Sequence, residues 1–138
     1  MTATFGPIGG RVLDPTAIMA IITNSSPYAA ALLDVCNDLN IPLAMPTSAL
    51  QATMAAARPE DRQRLLELPE IAMAVVLDLD LDAAWSAGLL ASRAGRPSAH
   101  PAAAHATQVG ISRGWPVVTK APDLILALSS DVRTETIP

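Results

Sequence analysis

The sequence has almost no cysteine, few aromatic side chains, no excess of bases and no long apolar run. One cysteine, Cys36, stands among 138 residues, so no internal disulfide can form. A lone thiol suits a reducing, cytoplasmic setting, and its place in "AAALLDVCNDLN" predicts a small core residue. Only two Trp, one Tyr and one Phe are present, so the core must be built from Ala, Leu, Ile, Val and Met. Nine Lys and Arg against thirteen Asp and Glu leave a net charge of −4. That balance excludes a bulk electrostatic grip on nucleic acid, which needs clustered bases. Arg58, Arg62 and Arg64 form the one close basic group and read as a solvated helix face beside Glu60, Asp61 and Glu67. No stretch supplies the roughly 18 consecutive apolar residues of a membrane span. The opening "MTATFGPIGG" lacks the basic and apolar regions of a secretory signal, and residues 1–9 read as a loose segment before a single domain over 1–138.

Present instead are short apolar strands alternating with helices. "RVL" predicts a first strand, with a helix from Pro15 to Thr23. A second helix starts at Pro27, capped by Ser25 or Ser26, and turns Ala30, Leu33, Val35 and Cys36 inward. In "IPLAMP", strand pairing must begin after Pro42 or tolerate an edge. Thr47 or Ser48 then caps "SALQATMAAA", and "PEDRQRLLELPE" follows with Leu65, Leu66 and Leu68 as its apolar side. "IAMAVVLDLD" reads as a strand covered on both faces. Two helices end at Gly95 and Gly114, "WPVVTK" is a fourth strand, "APDLILAL" a short helix and "DVRTETI" a last strand. This alternation predicts an α/β fold, a three-layer α/β/α sandwich around a mostly parallel sheet.

In such a fold the carboxyl ends of the strands form a rim where sites lie. Asp14 ends the first strand, Thr119 ends the fourth, and Asp123 follows inside the next helix. Asp14 has two readings: the N-cap of the helix opened by Pro15, or a metal ligand on the rim. "LDLDLDAA" sets Asp78, Asp80 and Asp82 at alternate positions, either as oxygen ligands for a hard cation or with Asp82 as a helix cap. His100 and His105 lie five apart, off the i, i+4 spacing that puts two ligands on one helical face, which argues against zinc. "GPIGG" precedes a strand instead of following one, the wrong context for a dinucleotide-binding turn. Trp85 and Trp115 read as core or rim packing.

"RVLDPTAIMAII", "IPLAMPTSALQATMAAA" and "HPAAAHATQVGISRGWPVVTKAPDLILAL" together resemble the PIN-domain family, which includes the VapC-type ribonuclease toxins of toxin–antitoxin pairs. The resemblance spans roughly residues 10 to 137 and implies acids gathered around Mg²⁺ or Mn²⁺ to cut single-stranded RNA. It places the family's acids at Asp14, Gln51, His100 and Ala121, so that one carboxylate is kept. Thr119 is kept beside the last position, as a substrate-contacting candidate, and Asp123 lies nearby. Gln keeps an oxygen but no charge, His is a soft neutral ligand, and Ala offers nothing. The expectation is a catalytically degenerate PIN-like module with no cofactor or only weakly bound Mg²⁺ or Mn²⁺. The alternative is a working nuclease rebuilt from Asp14, Asp123, His100 and Asp78 or Asp80. Expected partners are a second copy of the chain and a small antitoxin-like protein, with no membrane. The apolar composition points to a dimer face on the second to fourth helices, with Leu33, Met54, Leu65 and Leu66.

Overall fold

A computed structural model describes residues 9–138, so the loose segment expected over 1–9 lies outside the described residues except for Gly9. Five strands form one sheet: β1 (Arg11–Leu13), β2 (Leu43–Pro46), β3 (Ala74–Leu77), β4 (Val117–Thr119) and β5 (Thr134–Thr136). Their order is β3-β2-β1-β4-β5, and every pairing is parallel. Val12 lies level with Ala44 on one side and Val117 on the other. The chain winds outward from β1 to β3, then crosses back to β4, so the order reverses between β1 and β4. Open parallel sheets place their crevice at such a reversal.

Side chains alternate across the strands and split the core in two. Leu13, Leu43, Met45 and Val118 face α1 (Pro15–Ile22), α2 (Pro27–Leu39), α3 (Thr47–Ala56) and α4 (Arg62–Glu67). Val12, Ala44 and Val117 face the opposite way, against α6 (Pro101–Arg113) and α7 (Pro122–Leu128). Helix α5 (Leu81–Arg93) packs on α6 through Ala87, Ala91 and Ala104. Gly110 lets α6 sit close to the sheet, because a Cβ there would meet Val117 and Val132 at 2.9 Å. The result is the expected three-layer α/β/α sandwich. Among the described residues no single helix is long and apolar enough to cross a membrane.

Several local expectations give way to packing. β3 pairs with β2 alone and forms an edge, so its strand shrinks to four residues and Val76 is 44% exposed instead of covered on both faces. In α2 it is Ala29 and Cys36 that are buried, while Ala30 and Val35 turn outward. The cap of α3 is Pro46, without a side-chain bond, because Thr47 and Ser48 are used elsewhere. The Thr47 hydroxyl accepts from the Leu79 N–H, and Ser48 turns to His105. Asp80, not Asp82, caps α5. Trp85 is exposed instead of packed, whereas Trp115 is half-buried against Gly9 and Gly10. Of the four residues expected on a dimer face, Leu65 is buried in the core and Leu33 and Met54 pack against it, which leaves Leu66 outward.

Candidate functional site

The reversal between β1 and β4 brings Asp14 and Thr119 to neighbouring strand ends. Asp14 caps α1: its Oδ1 accepts from the Ala17 N–H at 2.9 Å and from the Thr16 hydroxyl at 2.6 Å. Pro15 at the first helical position needs no partner for a missing N–H, so the cap is complete. Thr16 carries the connection onward. Its Oγ1 accepts from the Lys120 N–H at 2.8 Å and lies 3.3 Å from Thr119 Oγ1. Thr119 Oγ1 in turn accepts from the Ala121 N–H at 2.9 Å. Asp14, Thr16, Thr119 and Ala121 thus form one hydrogen-bonded chain that ties β1 to β4, with Asp14 only 3% exposed.

The other expected positions ring this junction. Gln51, exposed on α3, lines a cavity of about 320 Å³ with Ser48, Ala52 and His100. Ala52 also lines a neighbouring cavity with Thr16 and Lys120, so Gln51 and the Asp14 chain border adjoining space. His100 caps α6, its Nδ1 accepting from the Ala102 N–H at 3.0 Å. On its other side, His100 shares a cavity of about 620 Å³ with Asp123, Arg96 and Leu124. Asp78, Asp80 and Asp82 line a separate groove with Gln108 and Arg113. The fold therefore sets Gln51 beside His100 and His100 beside Asp123. It does not gather Asp14, Asp123, His100 and Asp78 or Asp80 into one ligand set. Among the described residues no group of three or more His, Cys, Asp or Glu could hold a metal ion.

A hard divalent ion asks for several charged oxygens. This rim supplies one buried carboxylate whose Oδ1 is already used twice, a neutral amide, a histidine whose Nδ1 is engaged and an alanine methyl. That donor set does not fit Mg²⁺ or Mn²⁺.

Two residues were not marked as site residues from the sequence. Thr16 could have been found, because a hydroxyl two positions after a capping Asp sits in the first turn, facing the cap. His105 could not, because its partner is far away in sequence: its Nδ1 meets Ser48 Oγ at 2.6 Å in the interior between α3 and α6. Burial pushes the His105 pKa below its ordinary value, partly opposed by the Asp80 carboxylate. Burial pushes the Cys36 thiol up, which makes it a poor nucleophile.

No family model matches the chain, and no curated protein matches it. Solved structures do. The chain is similar to one in the DNA-bound VapBC from Salmonella typhimurium, with 22% identity, 92% of this chain and 97% of that chain covered, and a TM-score of 0.69. A chain of VapBC2 from Rickettsia felis, bound to a DNA fragment from its promoter, gives 14% identity, coverage of 93% and 98%, and a TM-score of 0.66. A chain of VapBC-5 from Mycobacterium tuberculosis, a member of the VapBC family of toxin–antitoxin systems, gives 26% identity, coverage of 95% and 98%, and a TM-score of 0.54. The fold defines the class: a PIN-type α/β/α sandwich with its crevice at the β1–β4 reversal. Within that class, the fold is that of a VapC-type PIN domain.

Proposed function

We propose that this chain is a VapC-type PIN domain without metal-dependent nuclease chemistry, acting as a binding or regulatory module. The observation that carries the reading is the state of Asp14. It is the one carboxylate among the four positions the family resemblance marks, and one of its two oxygens, Oδ1, caps α1 and holds the Thr16 hydroxyl. The similar VapBC structures are assemblies of a toxin–antitoxin system, which supports an antitoxin-like protein as the partner here. A second copy of the chain is the other proposed partner, and the cytoplasm, which suits a single buried thiol, is the proposed location.

The test is calorimetric titration with Mg²⁺ and Mn²⁺. Binding no tighter than millimolar, about 4 kcal/mol, agrees with one engaged carboxylate. A micromolar Mn²⁺ site that vanishes in Asp14→Asn overturns the reading. One observation favours the competing reading, a rebuilt Mg²⁺- or Mn²⁺-dependent endonuclease for single-stranded RNA: His100 and Asp123 line the same cavity. Metal-dependent cleavage lost in both Asp14→Asn and Asp123→Asn would establish it.

A further inference from the structure

Between the connection from α5 to α6, residues 94–100, and helix α7 lies the cavity of about 620 Å³ that His100 shares with Asp123. Sites for drug-sized ligands occupy roughly 300–1,000 Å³. The backbone holds one wall of this cavity in place. Gly95 follows α5 at φ +69°, a left-handed conformation that other residues rarely adopt. The Arg96 N–H then donates to the Ala91 carbonyl at 2.8 Å, and the Ala99 N–H to the Arg96 carbonyl at 3.0 Å. A wall fixed in this way has little ordering left to do when a ligand arrives.

Most of the lining is apolar, from Ala99, Ala103, Leu124, Ala127 and Leu128. Three polar side chains join it, each of a different character. Arg96 is a cation and Asp123 an anion, both exposed, and neither forms an ion pair with a described residue. His100 is the third. Its Nδ1 accepts from the Ala102 N–H, so the proton of the neutral ring sits on Nε2, which is a donor. One cation, one carboxylate and one neutral donor beside apolar walls match a ligand that carries both charges. A phosphate chain would set like charge against Asp123, and a purely apolar molecule would make no use of Arg96 or Asp123.

The geometry points to a binding site for a small zwitterion with apolar side chains, of about the size of a dipeptide. Its carboxylate pairs with the Arg96 guanidinium, whose planar fork takes both oxygens, and accepts from His100 Nε2–H. Its ammonium pairs with Asp123, and its side chains lie against Leu124, Leu128 and Ala103. Arg96 and Asp123 do not pair with each other, so a ligand whose two charges stand apart reaches both. A free amino acid would leave much of the cavity to water, whereas two residues fill more of it. The inference adds a small-molecule ligand to the binding role proposed above and does not depend on the state of Asp14.

Calorimetric titration with leucyl-leucine in EDTA tests the site. The parent chain is expected to bind one equivalent more tightly than about 1 mM. Acetylating the dipeptide's amine is expected to weaken binding at least about tenfold in the parent and to add nothing in Asp123→Asn, where that pair is already broken. Amidating its carboxyl is expected to act in the same way with Arg96→Gln. Ala127→Phe, which puts a ring into the cavity, is expected to abolish binding with an unchanged circular dichroism spectrum. A folded parent that does not bind millimolar dipeptide overturns the site. Binding that ignores both end blocks also overturns it, because the contact is then plainly apolar. Full-strength binding in Arg96→Gln and Asp123→Asn does the same, because the dipeptide then sits elsewhere. EDTA removes divalent ions, so failure here leaves the reading of Asp14 standing, and a micromolar Mn²⁺ site would leave this ligand standing.

Discussion

Two strand–Asp–helix junctions in this protein are alike in local structure and opposite in surroundings. Asp14 stands at φ −82°, ψ 175° and Asp80 at φ −77°, ψ −176°. Each carboxylate accepts from the N–H three residues on, at 2.9 Å. Yet Asp14 is buried and linked through Thr16 to a second strand, whereas Asp80 is exposed beside an open groove. The difference comes from the sheet. β1 lies in the middle of the sheet between β2 and β4, while β3 is an edge with a neighbour on one side only. The lesson is that the same cap can be a buried tie between strands or a simple helix start, depending on where the strand sits.

The largest expected effect asks whether only the central junction can be turned into a metal site. In the triple variant Gln51→Glu, His100→Asp, Ala121→Asp, four carboxylates should converge on the rim and repel one another, which lowers the stability of the metal-free protein. Mn²⁺ at a hundredfold excess over its dissociation constant should then restore about 2.7 kcal/mol. Thermal midpoints with and without Mn²⁺ check this in the parent and the variant. An equal shift in both would mean that the three positions do not converge on Asp14.

Removing the two caps measures the comparison directly. Asp14→Ala should cost about 2 kcal/mol, near the upper end for a cap, because a buried N–H and the Thr16 hydroxyl lose their acceptor together. Asp80→Ala should cost about 0.5 kcal/mol, since water can replace the exposed cap. Urea denaturation midpoints give both values. Equal costs would break the comparison, and a gain for Asp14→Ala would show a carboxylate strained by desolvation.

Thr16→Val keeps the shape but removes the link from β1 to β4, and is expected to cost about 1 kcal/mol. Hydrogen exchange should show the Lys120 amide losing protection while the Ala83 amide under Asp80 does not change. If the Lys120 amide stays protected, the link through Thr16 is not what holds the two strand ends together.

The smallest effect is one of pH. His105 has a folded pKa below its unfolded value, so its contribution is fully present above about pH 6.5, the unfolded value. As pH falls below that, the unfolded chain binds the proton first and stability declines until the depressed folded pKa is passed. Denaturation midpoints at pH 7.5 and pH 5.5 should differ more in the parent than in His105→Gln. Identical differences would remove His105 as the cause.

The sequence by itself determined the elements and most of their ends. Pro15 and Pro27 open helices as expected, Pro101 and Pro122 open two more, Gly114 closes one at positive φ, and Asp14 and Ser26 cap as read. It also determined the class, because short strands alternating with helices have few ways to bury both faces of a sheet. These features depend on residues within about four positions of each other, so composition and spacing reveal them. Tertiary structure alone decided that β3 is an edge, that Trp85 and Leu66 face outward and that Ser48 serves His105 instead of capping α3. It also decided which capping acid is buried. Those outcomes follow from strand order and from contacts between residues tens of positions apart, which no local pattern records.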